Sequence, residues 1–257
     1  MLRKEIKAIM TDIGGVLYVG SEPIEGAPEA LKILRSRYPL RLISNTTRST
    51  PFQIVKHLQK LGFAVDESEI YTALAATRDY VSSRGYKAYT LLTDEANAYF
   101  SELLSNNNDH VDCVVVADAH QNFHFESMNQ AFRHLEEGAE LIGAAKSRYF
   151  KDSDGKLTIG TGSWIAALEF ATGKEATIIG KPSASFFHLV ADSLGMKPHE
   201  ILMVGDDIVS DIGGAQQAGF KTALVKTGKF KESDLMSEIK PDIICDSFAD
   251  LARQLLS

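Results

Sequence analysis

The chain has little of what would tie it to a membrane or to nucleic acid. No uninterrupted apolar stretch is long enough to cross a bilayer, and the charged first residues are not followed by an apolar segment of signal-peptide length. Basic residues are outnumbered, with 27 Lys and Arg against 34 Asp and Glu and a net charge of −7. Because no broad positive field is present, we expect no nucleic-acid partner, no membrane partner, and a soluble, cytoplasmic protein.

Cysteine, proline and tryptophan are also scarce, with two, seven and one residues among 257. Cys113 and Cys245 each lie within an apolar run, which favours small buried side chains over a disulfide or a nucleophile. The composition, 44% hydrophobic and 24% charged, is that of a globular protein and excludes a mainly disordered chain. The length allows one large domain or two modest ones.

Short apolar runs alternate with segments of helical periodicity, which is the pattern of β-α-β units. A strand is predicted at residues 6–11, a helix at 27–37 and a second strand at 40–44. The last third repeats this order, beginning with a strand at 176–179. We therefore predict an α/β fold with a Rossmann-like core and a mainly parallel sheet.

The middle of the chain has strands and helices of its own. Strands are predicted at 88–92, 113–117 and 141–144. This segment is interpreted as an inserted α/β domain. The predicted division is a first core part at 1–73, an inserted domain at 74–175 and a second core part at 176–257.

Several residues with chemically useful side chains follow predicted strands directly or precede a predicted helix. In open α/β sheets, ligands gather at the carboxyl ends of the strands, so these positions are the candidate site. The residues are Asp12, Gly14, Ser44, Asn45, Thr46, Lys181, Asp206, Asp207 and Asp211.

The carboxylates of this set suit a hard cation, and its hydroxyl, amide and ammonium groups suit a phosphate. Several free carboxylates would repel one another in one site, and a Mg²⁺ ion would remove that repulsion. Taken singly, Asp12 has the alternative of a turn residue and Lys181 that of a solvated surface amine. The ordered set favours metal-assisted phosphoryl transfer.

In this order the residues resemble the four motifs of the haloacid dehalogenase superfamily of phosphatases. The insertion looks like the large α/β cap of its nitrophenyl-phosphatase-like subgroup. Other stretches, among them Val116-Ala-Asp-Ala119, Gly180-Lys-Pro-Ser183 and Thr227-Gly-Lys-Phe230, resemble the phospholysine phosphohistidine inorganic pyrophosphate phosphatases.

The resemblance implies a role for each core residue. Asp12 would be the nucleophile that forms an aspartyl-phosphate, and it would also bind Mg²⁺. Lys181 would pair with Asp12 and with the phosphate. The phosphoryl oxygens would be held by Ser44, Asn45 and Thr46. The metal ligands would be Asp12, the backbone carbonyl of Gly14 and Asp206, with Asp207 and Asp211 acting through water or by orienting the ligands.

Gly14 departs from the family pattern, because most of these phosphatases carry there an Asp that protonates the leaving group. Without that acid, alkyl phosphate esters should be poor substrates. We expect activity on small activated phosphates: phosphoramidates such as phosphohistidine and phospholysine, pyrophosphate, and aryl phosphates. The alternative is a regulatory protein that binds metal and phosphate without useful turnover, and a dehalogenase is a distant third.

The resemblance implies that the inserted domain closes over the site as a cap and selects the substrate. Asp118, directly after the strand at 113–117, is the candidate substrate-facing residue, with a turn-forming carboxylate as the alternative. His120 and His124 are interpreted as parts of a solvated loop, since zinc sites need three or four ligands. A homodimer through the cap is compatible with the resemblance, and the oligomeric state stays open.

Overall fold

The computed structural model describes residues 5–106, 110–151 and 156–256. Its strands are β1 (Ala8–Asp12), β2 (Tyr18–Val19), β3 (Glu22–Pro23), β4 (Leu40–Ser44), β5 (Ile70–Thr72), β6 (Ala88–Leu91), β7 (Cys113–Val116), β8 (Glu140–Gly143), β9 (Tyr149–Lys151), β10 (Leu157–Ile159), β11 (Thr177–Ile178), β12 (Ile201–Gly205), β13 (Lys221–Val225) and β14 (Ile243–Cys245). The α-helices span Ala27–Arg35, Pro51–Lys60, Ala73–Ser83, Asp94–Tyr99, Phe125–Glu136, Thr161–Thr172, Ala184–Leu194, Gly214–Gln217 and Phe248–Leu256.

The chain forms two compact units. The first contains the residues up to Ser44, Pro51–Tyr71 and the residues from Lys181 onward. The second contains Asn45–Thr50 and Thr72–Gly180.

The first unit is built on a six-stranded sheet in the order β14-β13-β12-β1-β4-β5. The pairs β1–β12, β1–β4, β12–β13 and β13–β14 are parallel. All residues of β1 and β12 are buried, as expected for central strands that helices cover on both faces. The predicted α/β fold with a mainly parallel sheet is confirmed.

Helices pack on this sheet through apolar faces that the sequence spacing provides. In the helix Ala27–Arg35, Ala30, Leu31 and Leu34 are buried, and the positive φ of Gly26 turns the chain into the helix. The core of this unit includes Ile9, Leu42, Leu202, Val204 and Phe248.

The second unit has a four-stranded parallel sheet in the order β11-β8-β7-β6 and an antiparallel hairpin of β9 and β10. Every residue of β7 is buried. Its core joins Val114 and Val116 to Leu141 and to Ile165 of the helix Thr161–Thr172. This unit therefore has a hydrophobic core of its own.

The strand predicted at 176–179 was placed in the core sheet, but the structure pairs β11 with β8 in the second unit. The backbone explains this pairing, since Ile179 N–H donates to the Gly143 carbonyl and Gly180 N–H donates to that of Ala144. Side chains at Gly143 and Gly180 would collide with Ile178 and Ala144 respectively. The second unit therefore extends to Gly180, five residues beyond the predicted boundary at 175.

The apolar spacing of the last third also predicts a helix near residues 212–218, whereas helical geometry begins earlier, at Ile208. A π-helical segment, Ile208–Gly213, precedes the short α-helix Gly214–Gln217. The Asp207 carboxylate starts this segment by accepting hydrogen bonds from the backbone N–H groups of Val209 and Ser210.

Both cysteines are buried free thiols, as the sequence predicts. Burial raises the pKa of Cys113 to about 12 and that of Cys245 to about 11, so both are protonated at neutral pH. Within the described residues, no helix has the length and hydrophobicity that crossing a membrane requires.

Candidate active site

Strands β1 and β12 end side by side at the same edge of the first sheet. Asp12 is the last residue of β1, and Asp206 follows Gly205, the last residue of β12. The register pairs Thr11 with Val204, so Asp12 comes level with Gly205 and Asp206 follows one residue further along the neighbouring strand. On the other side of β1, Asp12 is paired with Ile43, which precedes Ser44.

A buried lysine and three buried carboxylates form the centre of this edge. The Lys181 ammonium donates to Asp12 Oδ1 at 2.8 Å and to Asp211 Oδ1 at 2.7 Å. One carboxylate oxygen from each of Asp12, Asp206 and Asp211 lies within 4.8 Å of the others. We call these three residues the acid cluster. Lys181 therefore joins two of its members.

Burial and mutual repulsion make the acid cluster hard to ionise. Burial, followed by the nearby charges of Asp12 and Asp211, raises the pKa of Asp206 to about 7. Burial also raises the pKa of Asp211, although Lys181 opposes this shift. For Lys181 itself, burial favours the neutral amine, but the carboxylates of Asp12 and Asp211 outweigh it and raise its pKa.

A divalent cation fits this arrangement on two grounds. Asp206 Oδ1 is the only buried side-chain polar atom of the described residues that has no hydrogen-bond partner. In addition, three buried carboxylates share one ammonium group, so full ionisation of the acid cluster would leave two negative charges uncompensated. Carboxylate oxygens are the ligands that hard divalent cations prefer. Asp12, Asp206 and Asp211 could therefore hold such an ion.

Asp207 was predicted to act through water or by orienting the metal ligands, and its carboxylate is held by neighbouring residues. Oδ1 accepts from Val209 N and Ser210 N, and Oδ2 lies 3.3 Å from the Lys229 ammonium. Burial alone would raise the pKa of Asp207, but the Ser210 N–H and Lys229 outweigh it and lower the pKa. Asp207 is outside the acid cluster.

Four residues at this site were not singled out as site residues from the sequence. Lys229 N–H donates to Asp206 Oδ2 at 2.7 Å, and the Thr227 hydroxyl donates to the Gly15 carbonyl. Gly15 and Gly228 have positive φ, and a Cβ on either would overlap the Asp206 carboxylate. The signal was available, because Thr227-Gly-Lys229 comes just after β13, where the rule on carboxyl ends of strands also applies.

The remaining predicted core residues differ in their placement. Gly14 is exposed, and a Cβ built on it has no atom within 4 Å. Ser44 ends β4 in the first unit and is partly exposed. Asn45 and Thr46 are also partly exposed but fall in the second unit. The roles of Ser44, Asn45 and Thr46 at phosphoryl oxygens and of the Gly14 carbonyl as a metal ligand stay predictions.

Asp118 lies in the second unit, where both of its carboxylate oxygens accept hydrogen bonds from the protein. Arg48 Nε donates to Oδ2 at 2.7 Å, and the backbone N–H of His120 donates to Oδ1 at 3.0 Å. The Asp118 N–H donates to the Thr47 hydroxyl. Asp118 thus connects segment 45–50 to the loop after β7, and its contact with substrate stays a prediction.

Comparison with protein families gives two matches that together cover most of the chain. The model of haloacid dehalogenase-like hydrolases matches residues 9–106, and a HAD-hydrolase-like model matches residues 178–251. The first match includes Asp12 and Ser44, and the second includes Lys181 and the acidic segment after β12.

Similar proteins cover nearly the full length. The haloacid dehalogenase-like hydrolase domain-containing protein 2 of Bos taurus is 38% identical and spans 99% of this chain and 97% of its own length. The phospholysine phosphohistidine inorganic pyrophosphate phosphatase of Homo sapiens is 36% identical and spans 95% and 91%. The solved p-nitrophenyl phosphatase from Archaeoglobus fulgidus has a TM-score of 0.89 and 27% identity, with 97% and 99% of the two chains covered.

The fold, the acid cluster and the similarity to these hydrolases together identify the protein as a hydrolase with an α/β core. The chain belongs to the haloacid dehalogenase-like hydrolase family. The resemblance drawn from its motifs is confirmed.

Proposed function

We propose that this hydrolase is a Mg²⁺-dependent phosphatase that acts through an aspartyl-phosphate on Asp12. The observation that carries the proposal is the buried contact of Lys181 with Asp12 and Asp211 beside the unpartnered oxygen of Asp206. It combines a nucleophile, a fixed cation and a place for a divalent ion. The phosphatase names of the human and archaeal relatives support it.

In the first half of the reaction, a carboxylate oxygen of Asp12 forms a bond to phosphorus while the bond from phosphorus to the leaving group breaks. Lys181 holds Asp12 in position through its 2.8 Å contact and offers positive charge to the phosphoryl oxygens. In the second half, water hydrolyses the aspartyl-phosphate, which releases phosphate and restores the Asp12 carboxylate.

Asp12, Asp206 and Asp211 would hold the Mg²⁺ ion. When bound, the ion supplies Lewis-acid stabilisation of negative charge on the phosphoryl oxygens. Lys229 N–H orients the Asp206 carboxylate by donating to Oδ2, so that Oδ1 is directed to its buried, unpartnered position. Lys181 fixes Asp211 in the same way.

The proposed substrates are phosphates whose leaving group departs without protonation by an acid of the enzyme. Gly14 places no side chain where the family resemblance expects the proton donor. In phosphoramidates such as phospholysine and phosphohistidine, the nitrogen group can leave once it is protonated. Pyrophosphate and aryl phosphates have leaving groups that are stable as anions. The name of the 36% identical human relative includes three of these substrates.

Release of nitrophenol from 4-nitrophenyl phosphate tests the proposal directly. We expect turnover with MgCl₂, loss of turnover with EDTA, and a decrease of at least roughly 10³-fold in Asp12→Asn, whose amide is not a nucleophile. The matched control is Asp246→Asn, because Asp246 is an exposed acid whose side chain is 82% accessible. Tight phosphate binding without turnover in the wild type would instead establish the regulatory binding protein.

Gly14→Asp tests the restriction to activated phosphates. The space around Gly14 admits a side chain, so the added carboxylic acid can serve as the proton donor. We expect hydrolysis of a simple alkyl phosphate to rise by ~10²–10⁴-fold, the usual contribution of a positioned acid, with little change for a phosphoramidate. Gly14→Asn, of the same size but unable to donate such a proton, is the control. An unchanged alkyl ester rate in Gly14→Asp would contradict this account.

We also propose that the second unit is the cap that selects the substrate and that two copies associate through it. Sedimentation velocity of the full chain measures the association. A monomer at micromolar concentration would remove the dimer from the proposal and leave the phosphatase assignment untouched.

A further inference from the structure

A cavity of about 240 Å³ lies in the second unit, at the carboxyl ends of two neighbouring parallel strands. Its lining comes from three segments: Arg48, the start of the helix after β6 with Asp94 and Glu95, and the loop after β7 with His120 and Asn122. Carboxyl ends of parallel strands are where open α/β sheets bind ligands. The second sheet thus has its own candidate ligand position.

One buried carboxylate organises the basic part of this cavity. Asp118 accepts from Arg48 Nε through one oxygen and from the His120 N–H through the other. The Arg48 guanidinium also lies over the Phe150 ring, 4.9 Å from its centre. The Asp118 carboxylate therefore positions both Arg48 and His120 in the absence of a ligand.

His120 has a φ of 47°, the only positive φ of a non-glycine residue in the part of the chain that the structure describes. A side chain in this region is unfavourable and persists only where its surroundings fix it. The surroundings do so here: Asp118 binds the His120 N–H, and the following Asn122 amide donates to Leu92 O at 2.9 Å and to Asp94 Oδ1 at 3.0 Å. Such fixed outliers cluster at ligand sites.

Basic and acidic side chains both line the cavity, and Asp118 pairs with Arg48 at 2.7 Å, so a ligand that itself carries both signs matches this lining. Arg48 and His120 suit an anionic group, whereas Asp94 and Glu95, both exposed, suit an ammonium group. A metal ion is not favoured, because the only group of three potential ligands found among residues 5–106, 110–151 and 156–256 is the acid cluster of the first unit.

We propose that this cavity binds a small zwitterion of the amino-acid type, with its carboxylate against Arg48 and His120 and its ammonium group against Asp94 and Glu95. The proposal does not depend on the chemistry at Asp12. It assigns the strained loop after β7 a ligand that the phosphatase site does not require.

Isothermal titration calorimetry of the full chain with L-glutamine tests the proposal. We expect saturable binding that weakens at least tenfold for N-acetyl-L-glutamine, which lacks the ammonium group, and for L-glutaminamide, which lacks the carboxylate. Arg48→Gln and Glu95→Gln should each weaken L-glutamine binding at least tenfold. Glu136→Gln, an exposed acid at the end of the helix Phe125–Glu136, should bind like the wild type.

Thermal unfolding of each variant checks that it is folded, and Glu95→Gln changes only an exposed side chain. The absence of saturable binding by the wild type would overturn the proposal. Binding that stays the same in both Arg48→Gln and Glu95→Gln would place the ligand elsewhere and would also overturn it. Equal affinity for L-glutamine and its two blocked forms would reject the zwitterion class.

Discussion

Three glycines allow the backbone to close around the acid cluster. A Cβ on Gly15 or Gly228 would overlap the Asp206 carboxylate, and a Cβ on Gly205 would overlap Asp211. Gly15 and Gly228 also have φ values of +84° and +61°, which residues other than glycine rarely adopt. At these positions the residue type is set by the carboxylate beside it as well as by the turn.

Gly15→Ala should therefore disrupt the site, whereas Gly14→Ala should not. The new methyl group at residue 15 meets the Asp206 carboxylate and a positive φ, whereas at residue 14 it meets no atom within 4 Å. We expect Gly15→Ala to lower the free energy of unfolding by about 2 kcal/mol or more and Gly14→Ala to change it by less than about 0.5 kcal/mol. Urea unfolding in EDTA measures both, and equal stability of the two variants would contradict the packing argument.

Asp206 should make the metal-free protein less stable as the pH rises. Its pKa is about 7 in the folded protein and about 3.9 in an unfolded chain, so the folded state holds the proton more tightly. The stability from this group is fully present below about pH 4 and is lost as the pH rises through about 7.

Asp206→Asn removes that loss, because a neutral amide can still accept from Lys229 N–H. In EDTA, we expect Asp206→Asn to be more stable than the wild type at pH 8, on the order of a few kcal/mol, and to approach the wild type near pH 4. Urea unfolding at the two pH values measures the difference, with the exposed Asp246→Asn as control. A stability difference independent of pH would refute the electrostatic origin.

At the scale of elements, the positions of the predicted strands were correct to within one or two residues. The strand at 40–44 has the predicted bounds, and its apolar residues Leu40, Leu42 and Ile43 are buried. Asp12 and Asp206 follow from the same logic, since parallel neighbours must end at one edge.

Other features depended on tertiary contacts that the sequence pattern does not encode. The two-residue strand β11 carries no signal for the sheet it joins, and the close approach at Gly143 and Gly180 decides its pairing. The hydrogen bonds from Val209 N and Ser210 N to Asp207 were similarly hidden, because a carboxylate beside Asp206 has the same sequence signature whether or not it caps a helix. The place of Lys229 after β13 was predictable, but its contact with Asp206 was not, because it is made by the backbone N–H, which any residue type supplies.

Substitutions of Asp207 can distinguish its helix-capping hydrogen bonds from a role in metal binding. Asp207→Ala removes the acceptor for Val209 N and Ser210 N, so we expect a loss of about 1 kcal/mol in the free energy of unfolding. Asp207→Asn keeps an acceptor and should lose less than about half of that. Because Asp207 is outside the acid cluster, Mg²⁺ affinity measured by calorimetry should change only a few-fold in Asp207→Asn. Loss of Mg²⁺ binding in that variant would make Asp207 a direct ligand.

At the scale of the whole molecule, the acid cluster belongs to one unit and is assembled from distant parts of the chain. Asp12 lies near the start, whereas Lys181, Asp206 and Asp211 come after the whole second unit. Binding of Mg²⁺ should therefore stabilise the first unit by joining β1 to β12 and to the segment after it. The second unit contributes no carboxylate to the cluster and has its own core.

Hydrogen exchange with and without MgCl₂ measures this difference in the intact protein. At a Mg²⁺ concentration 100 times the dissociation constant, binding adds about 2.7 kcal/mol to the stability of the unit that holds the ion. We expect exchange to slow in β1 and β12 and to stay unchanged in β7, a buried strand of the second unit. The Asp206→Asn variant should show no slowing, because the cluster then lacks one of its three carboxylates. Unchanged exchange in β1 and β12 of the wild type at that concentration would show that the ion does not bind at this edge of the sheet.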